Sequence, residues 1–356
     1  MIAMQLARSR QLSFWMRELD SRWSLTETRA RVVEIIRETH DVMTFVLAPN
    51  RRWRGHEAGQ FVPVEVEVDG VRTTRCYSLS SAPGDDRLHI TVKRVPGGRV
   101  SAWMHEHLSR GDVVTLGEAA GELCLAPASG PQRLLLLSGG SGVTPLMSIL
   151  RELAARDAIG DVVFVHAARS RRDVIFERDL SELAARHKGL RVVFVLEDDA
   201  AGGGRLDGAK LAALVPDLAE RETKLCGPSG MMDALSMFYR NQGLAHLLQM
   251  ERFGPPARVS QSLSDTPERA PAKLSLTLLQ SERVVSIDAG GTMLEQLERA
   301  GERPANGCRM GICNTCLCRK RSGVTEDITT GVLSEEPDQD IRLCVSRART
   351  NVSLAL

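Results

Sequence analysis

The feature that most constrains this chain is a group of cysteines near its end. Cys308, Cys313 and Cys316 follow a C-x4-C-x2-C spacing, and Cys344 stands well downstream. This spacing is typical of the four thiolates of a [2Fe–2S] cluster, because three sulfurs come from one tight loop and the fourth from elsewhere. Gly311 gives such a loop backbone conformations that a side chain would hinder. The pattern therefore predicts a cluster domain, and a source of electrons earlier in the chain.

A zinc site and a set of unrelated buried thiols are the two alternatives for these cysteines. Structural zinc usually has two close cysteine pairs, and only Cys313 and Cys316 form such a pair here. Cys318 lies two residues after Cys316, where a strand would point both side chains the same way. We expect Cys318 to be a bystander thiol. The spacing favours the iron–sulfur cluster over both alternatives.

Composition narrows the class of protein. With 356 residues, the chain has room for two or three domains. Its net charge of +1 gives no reason to expect a nucleic-acid partner, and no apolar run approaches the ~18 residues that span a membrane. The N-terminus lacks the pattern of a secretory signal. Cysteines clustered near the end of the chain, without an export signal, favour metal ligation in the cytoplasm, and contact with the inner membrane would come through a partner.

The pattern of strands and helices predicts a multidomain chain. Residues 28–130 contain many short strands separated by turns, which is typical of an antiparallel β-barrel. In residues 131–254 strands alternate with helices, which predicts a parallel sheet covered by helices. A linker rich in Pro and Ser over 255–271 leads to a small α+β domain over 272–356. Residues 1–27 are predicted to form a helical arm. Its mixed charges favour packing on the first domain over binding to a membrane or to a partner.

Two motifs in the predicted barrel suit a flavin. Arg75, Tyr77 and Ser78 belong to one strand, in which Arg75 and Tyr77 share a face. An Arg can bind a phosphate bidentately, and a Tyr ring can lie against a flat heterocycle. The second motif, Gly97-Gly98-Arg99-Val100-Ser101, opens a helix whose free N–H groups favour an anion. Alone, each motif also suits an ordinary structure, a solvated edge strand or a capped turn; together they favour flavin binding.

Two later loops suit a nucleotide. Residues 138–145, Ser-Gly-Gly-Ser-Gly-Val-Thr-Pro, connect a leucine-rich strand to a helix, and their glycines would let a pyrophosphate approach the backbone. Pro145 stands where G-x-G-x-x-G has its final glycine, so a generic Rossmann assignment is poor. Leu225-Cys226-Gly227-Pro228 also ends a strand and begins a helix. A nucleophilic role for Cys226 is disfavoured because no histidine base accompanies it.

Taken in this order, the motifs resemble those of the ferredoxin–NADP⁺ reductase superfamily, in the branch with a C-terminal plant-type ferredoxin domain. The resemblance covers residues 28–356 and implies a β-grasp fold for the last domain. A narrower similarity, to the bacterial electron-transfer partners of stearoyl-CoA Δ9 desaturases, rests on four segments. They are Trp53-Arg-Gly-His-Glu-Ala-Gly-Gln60, Arg75-Cys-Tyr-Ser, Cys308-Arg-Met-Gly-Ile-Cys and Leu343-Cys-Val-Ser.

The resemblance implies roles for individual residues. Arg75 would bind the FAD pyrophosphate, Tyr77 would cover the isoalloxazine, and Ser78 would hydrogen-bond near flavin N5. The helix start would complete the phosphate site, and the two later loops would face the pyridine nucleotide. The residues of the helix start are Gly98, Val100 and Ser101. Those of the first loop are Gly140, Gly142 and Thr144, and those of the second are Cys226, Gly227 and Pro228. Those nearest the reacting atoms would be Tyr77, Ser78, Thr144 and Cys226. Glu251 and Phe253 would close over the flavin; the alternative there is a final β-strand with a solvated Glu.

The choice between NADPH and NADH depends on one turn. Arg169, Ser170 and Arg171 follow a predicted strand, where an NAD site would more often place an acid. They could bind a 2′-phosphate, or they could form a solvated basic turn. The pattern favours NADPH over NADH.

These expectations combine into an NAD(P)H-dependent oxidoreductase. A hydride delivers two electrons together, a [2Fe–2S] cluster accepts one at a time, and a flavin connects the two. The resemblance implies that the cluster passes electrons to a membrane di-iron fatty acyl desaturase. A Rieske-type oxygenase, an alkane hydroxylase or a P450 are alternative acceptors. An alternative of another class is a redox sensor that binds flavin and cluster without turnover.

Overall fold

The computed structural model divides the chain into two units, Met1–Phe253 and Gly254–Leu356. The residues that it describes are 16, 20–125, 133–199, 203–253, 274–288, 290–307, 309, 311, 314–328 and 331–356. The whole predicted linker and most of the predicted N-terminal arm lie outside these residues. The described end of the arm, residues 20–27, forms turns and not a helix, because the Asp20 carboxylate accepts hydrogen bonds from the backbone and side chain of Arg22.

The first part of unit Met1–Phe253 is an antiparallel sheet that curls into a barrel. Its order is β4-β3-β6-β1-β2-β5, and a bridge between Leu79 and Ile90 joins the two edges. The strands are β1 Thr28–Arg37, β2 Val42–Pro49, β3 Phe61–Val68, β4 Val71–Ser78, β5 Leu88–Lys93 and β6 Val113–Leu116. Alternation places Val62, Val64 and Val66 in the interior. Helix α1, Arg99–His107, follows β5. The predicted antiparallel barrel is confirmed.

The second part of this unit is a parallel sheet of order β11-β10-β7-β8-β9. The strands are β7 Arg133–Gly139, β8 Asp161–Ala168, β9 Leu190–Leu196, β10 Glu222–Cys226 and β11 Leu248–Glu251. The helices are α2 Val143–Ala155, α3 Glu177–Arg186, α4 Gly208–Leu214 and α5 Ser229–Asn241. The leucine run of β7 is buried on both faces, since Leu134 and Leu136 join one core and Leu135 and Leu137 the other. The predicted α/β architecture is confirmed.

Unit Gly254–Leu356 is a small α+β domain, as predicted. Its main sheet has the order β13-β12-β19-β14-β17, and a second sheet has the order β16-β15-β18. The strands are β12 Leu274–Leu278, β13 Arg283–Ile287, β14 Leu317–Ser322, β15 Thr325–Asp327, β16 Leu333–Ser334, β17 Gln339–Arg342, β18 Ser346–Ala348 and β19 Val352–Leu354. Helix α6, Met293–Arg299, begins with a capping box between Thr292 and Glu295, and it buries Met293, Leu294 and Leu297 in the core.

The helices of the described residues are short. The longest, α2 and α5, have 13 residues each. Within the described ranges, no helix combines the length and the apolarity that crossing a membrane requires.

Candidate functional site

The strand predicted to contact a flavin is β4, which pairs with β3. Tyr77 lies opposite Val62 and Ser78 opposite Phe61. Burial raises the pKa of the Tyr77 phenol above its ordinary value, so this ring is neutral at physiological pH. Ser78 is 4% exposed at the buried end of the strand. An aromatic face and a buried hydroxyl thus lie on consecutive residues.

Two buried oxygens near this strand show that the site fits a polar ligand. Ser78 Oγ and Glu251 Oε2 are buried and have no hydrogen-bond partner among the described residues. Burial raises the pKa of Glu251 to about 7, because the charged carboxylate loses its hydration. An unpaired buried oxygen costs about 1–3 kcal/mol, and a flavin ring edge supplies the donors and acceptors that these oxygens lack. The residues present therefore fit the expected flavin.

The start of α1 suits a phosphate. Gly98 precedes the helix, and no side chain caps the first N–H groups, which leaves them for an anion. A Cβ on Gly98 would lie 2.7 Å from Ser101 Oγ, so the position needs glycine. Val100 and Ser101 are buried, and Ser101 Oγ accepts the backbone N–H of Val95 at 3.1 Å. The helix start is thus held tightly against the turn before it.

The two predicted nucleotide loops contact each other at the carboxyl edge of the parallel sheet. Cys226 lies opposite Ser138 in the β10–β7 register. A Cβ on Gly142 would overlap the Cys226 carbonyl oxygen, and a Cβ on Gly139 would lie 2.8 Å from Pro228 Cδ. Only glycine permits these approaches. The structure therefore brings the two loops together where α/β sheets usually bind ligands.

Individual residues of these loops have defined surroundings. Gly140 takes φ 51°, which favours glycine, while Thr144 is buried and its hydroxyl donates to the Ser141 carbonyl at 3.0 Å. Thr144 therefore braces the start of α2. Cys226 is fully buried, and burial, followed by the nearby Glu251, raises the pKa of its thiol well above the ordinary value. A thiol that stays protonated is a poor nucleophile.

Glu251 and Phe253 differ in their surroundings. Glu251 ends strand β11, beside Cys226 in the parallel register. The alternative of a final strand is right about the secondary structure, and it is wrong about the solvated carboxylate, because Glu251 is largely buried. A Cβ on Gly121 would lie 3.0 Å from Glu251 Oε1, which places the barrel's last segment against this carboxyl. Phe253 is 40% exposed.

In the basic turn after β8, some side chains have local partners and others do not. Ser170 Oγ donates to Asp173 Oδ2 at 2.5 Å. Arg171 pairs with Glu177, and its guanidinium lies 5.3 Å from the centroid of the Phe194 ring. Arg169 is exposed and forms no ion pair with any residue of the described ranges. Of the three predicted residues, Arg169 is therefore the one whose charge is available to a phosphate; Arg172, beside them, is also exposed and forms no ion pair within the described ranges.

The described half of the cysteine set is assembled. Cys316 and Cys344 are each 3% exposed, and their Sγ atoms lie 3.1 Å apart. The backbone N–H of Gly311 donates to Cys344 Sγ at 3.3 Å, a bond that stabilises a thiolate. Gly311 has φ 77°, and a Cβ there would meet Val345 at 2.9 Å. Cys308 and Cys313 lie outside the described residues, and the two sulfurs that are present fit an iron–sulfur cluster.

Cys318 lies on β14 and is 6% exposed. Burial raises the pKa of its thiol to about 11, which favours the neutral thiol over the thiolate that a metal needs. Its Sγ donates to the Arg319 carbonyl at 3.8 Å. The bystander role stays a prediction.

Sequence reasoning missed the residues that join the barrel to the parallel sheet. Ser148 and Arg151 of α2 donate hydrogen bonds to the carbonyls of Ser81 and Ser80, each at 2.6 Å. These two serines follow β4 closely. The adjacent charges Arg151 and Glu152 within a mostly apolar run are the sequence signal that could have drawn attention to this helix.

Comparison with protein families identifies three domains. An oxidoreductase FAD-binding domain matches residues 29–123, an oxidoreductase NAD-binding domain matches 136–237, and a 2Fe-2S iron–sulfur cluster binding domain matches 276–349. These matches confirm the predicted cofactors FAD, pyridine nucleotide and [2Fe–2S]. The alternatives of a zinc site and of unrelated thiols are wrong, since a cluster-binding domain spans the cysteines.

Relatives match over most of their length. An NADPH oxidoreductase of Mycobacterium tuberculosis strain H37Rv is 36% identical over 331 residues, which are 92% of this chain and 83% of that protein. A glycine betaine monooxygenase reductase subunit of Chromohalobacter salexigens is 34% identical over 357 residues, 93% of this chain and 96% of that protein. Among solved structures, phthalate dioxygenase reductase has a TM-score of 0.62 at 23% identity and covers 93% of this chain and 98% of its own. That last likeness concerns the fold.

Proposed function

Because this chain belongs to the ferredoxin reductase superfamily, in the branch with a C-terminal [2Fe–2S] domain, and is an NAD(P)H-dependent oxidoreductase, we propose that it is the reductase component of an oxygen-activating enzyme system. Electrons would enter from NAD(P)H, cross the FAD site and leave singly from the cluster. The observation that carries this proposal is the assembled pair Cys316 and Cys344, 3.1 Å apart, on the same chain as a flavin site and a nucleotide site.

When bound, the flavin converts a two-electron hydride into single electrons, and the chain's own residues position it. Ser78 and Glu251 would satisfy their unpaired oxygens on the bound ring system. Glu251, with its pKa raised to about 7, would hold or release a proton at neutral pH. Cys226, a neutral thiol beside Glu251, would fill the space under the nicotinamide without adding charge.

The nucleotide that we propose is NADPH. Arg169 would bind the 2′-phosphate directly, since its guanidinium is exposed and unpaired within the described residues. Arg171 would first have to leave Glu177, and Ser170 would have to leave Asp173. These prior contacts make Arg169 the main determinant of the three.

For the acceptor, we propose a membrane di-iron fatty acyl desaturase. The support is the motif resemblance of Trp53-Arg-Gly-His-Glu-Ala-Gly-Gln60 and Leu343-Cys-Val-Ser. The second candidate is the terminal component of a monooxygenase or a Rieske-type oxygenase, which the description of the Chromohalobacter relative as a glycine betaine monooxygenase reductase subunit favours. Both acceptors take electrons one at a time, so the cluster suits either.

Reconstitution separates these acceptors. The full chain, carrying FAD and its cluster, is combined with NADPH or NADH and with desaturase-containing membranes plus stearoyl-CoA, or with a purified terminal monooxygenase and its substrate. We expect oleoyl product that depends on both chain and nucleotide. Product only with the monooxygenase would replace the desaturase as acceptor. If NADPH neither bleaches the flavin nor supports cytochrome c reduction, the reductase function itself is wrong and a redox sensor takes its place.

A further inference from the structure

Helix α2 is hydrogen-bonded to the segment that follows β4, the strand predicted to contact the flavin. It begins at the glycine turn of the nucleotide loop, and its middle faces Ser80 and Ser81. Ser148 Oγ donates to the Ser81 carbonyl at 2.6 Å, and the Arg151 guanidinium donates to the Ser80 carbonyl at 2.6 Å. Ser148 and Arg151 are three residues apart and so share a helix face. Ser80 and Ser81 are fully buried. Loss of the Arg151 donor leaves the Ser80 carbonyl without a partner among the described residues, and loss of the Ser148 donor leaves the Ser81 carbonyl only His56 Nε2, at 3.5 Å.

Arg151 has two further partners on the nucleotide side. It pairs with Asp179 of α3, and its guanidinium carbon lies 5.2 Å from the centroid of the Phe176 ring, a cation–π distance. Phe176 precedes α3 with φ 59°, a left-handed conformation that persists for a bulky residue only where its surroundings hold it. One arginine therefore joins α2, α3 and the barrel.

The contact continues into the barrel as a row of hydroxyls. Ser80 Oγ lies 3.1 Å from Thr91 Oγ1, which lies 2.8 Å from Thr44 Oγ1. The Thr44 hydroxyl donates to Glu38 Oε1 at 2.6 Å. Glu38 and Arg151 both line a cavity of about 900 Å³ between the barrel and α3. Connected buried hydrogen bonds specify one arrangement of the groups that they join, so the attachment point at Ser80 is rigid.

We propose that Arg151 and Ser148 are positioning residues that set the spacing between the bound nicotinamide and the flavin. Ser148 lies five residues into α2, about 8 Å from the nucleotide loop along the helix axis. Ser78, the last residue of β4, lies two residues before Ser80, at most about 7 Å along the chain. A displacement at this attachment therefore shifts the two cofactor sites relative to each other by nearly the same distance. A misplacement of about 1 Å between reacting groups can lower the rate about 100-fold. This inference rests on the proposed function.

The test compares full-length, FAD-loaded variants. Arg151→Met removes all three contacts and keeps an unbranched apolar stem. Arg178→Met is the matched control, because Arg178 also lines the cavity and pairs with Glu182 on the surface, with its side chain 88% exposed. We expect Arg151→Met to slow flavin bleaching at saturating NADPH by about 10- to 100-fold, with KM changed by less than about threefold. The long-wavelength charge-transfer absorbance of the nucleotide–flavin complex should weaken in parallel. Arg178→Met should stay within about twofold of wild type.

Two more variants keep the test decisive. Arg151→Lys can reach either Ser80 or Asp179 but lacks the planar fork that serves both, so it should recover only part of the rate. Ser148→Ala removes a single hydrogen bond without adding volume, and serves if Arg151→Met fails to fold or to hold FAD; a loss of about 3- to 10-fold is expected. Wild-type rate and absorbance in both Arg151→Met and Ser148→Ala would overturn the inference, as would an equal loss in Arg178→Met. Wild-type protein that NADPH does not bleach would instead overturn the proposed function.

Discussion

At the scale of single residues, His166 illustrates how burial decides protonation. It is fully buried on β8, and its Nδ1 lies 2.8 Å from Ser138 Oγ. Ser138 Oγ can also donate to the Val165 carbonyl at 3.4 Å, and the imidazole tautomer decides which atom of the Ser138–His166 pair donates. Nε2 has no partner among the described residues. Burial lowers the pKa of His166 to about 4.

This shift predicts how stability depends on pH. Below pH 6.5 the unfolded chain binds a proton at His166, while the folded protein does not until the pH approaches 4. Stability is therefore lost as the pH falls through this range, by about 2 kcal/mol at pH 5. Urea unfolding of the full chain at pH 7.5 and 5 should show this loss, and His166→Leu should reduce it by that amount. Equal losses in both proteins would contradict the pKa of His166.

The turn after β8 gives a prediction on coenzyme preference. Arg169→Ala should lower kcat/KM for NADPH by about 10-fold or more and leave kcat/KM for NADH within about twofold, because only the 2′-phosphate contact is lost. Arg205→Ala is the control, since Arg205 is 89% exposed and reaches Glu197 only at 3.9 Å. Steady-state ferricyanide reduction with each nucleotide measures the ratio. An unchanged ratio would show that the 2′-phosphate is bound elsewhere or that NADH is the natural donor.

At the scale of secondary-structure elements, prediction succeeded where burial follows a simple period. The antiparallel barrel and the alternation of strands with helices in the nucleotide domain were both predicted from such patterns. Strands β15, β16 and β18 were missed because they have two or three residues each, too few to show a period. Tertiary contacts such as that of Arg151 with Ser80 were also beyond the sequence, since they join residues 71 positions apart.

Strand β14 gives a prediction because its Arg-Lys-Arg run looks solvated in the sequence. Lys320 is instead fully buried, and its Nζ donates to the Gly323 and Ser334 carbonyls at 2.8 and 2.6 Å. Lys320→Met should destabilise the cluster unit by about 3 kcal/mol, because two carbonyls lose their donor. The control Arg319→Met breaks an exposed pair with Asp340 and should cost less than about 1 kcal/mol. The urea concentration at which half of the cluster's visible absorbance is lost measures the stability of each variant. Equal midpoints for Lys320→Met and Arg319→Met would mean that water takes over the hydrogen bonds of Lys320.

At the scale of the whole molecule, the division after Phe253 predicts separable activities. Cys316→Ser should abolish NADPH-dependent cytochrome c reduction, because the cluster loses a ligand, and leave NADPH–ferricyanide activity within about twofold. Cys318→Ser, in the same unit, is the matched control and should keep the cluster absorbance and both activities. Loss of both activities in Cys316→Ser would show that electrons do not pass in series from flavin to cluster. Loss of absorbance in Cys318→Ser would make Cys318 a ligand.

The family, the three cofactors and the fold could all be predicted, because each depends on a local motif or on a period. The assignment of individual site residues stays a prediction. Ser78 and Glu251 show unpaired buried oxygens only once β4, β11 and the segment around Gly121 are folded together. Two of the four predicted cysteine ligands, Cys308 and Cys313, lie outside the described residues. Their support is their spacing and the 2Fe-2S domain match that spans them.

The basic turn at residues 169–171 has a consequence for how such reductases diverge. Both of its arginines are exposed, and its contacts with Asp173 and Glu177 are local. It meets the sheet where the Arg171 guanidinium lies over the Phe194 ring. On the proposed role of this turn in binding the 2′-phosphate, substitutions there would change the preferred nucleotide and leave the scaffold intact. The choice between NADPH and NADH would then be separable from the flavin and the cluster, and the supply of each nucleotide in the cell could select it.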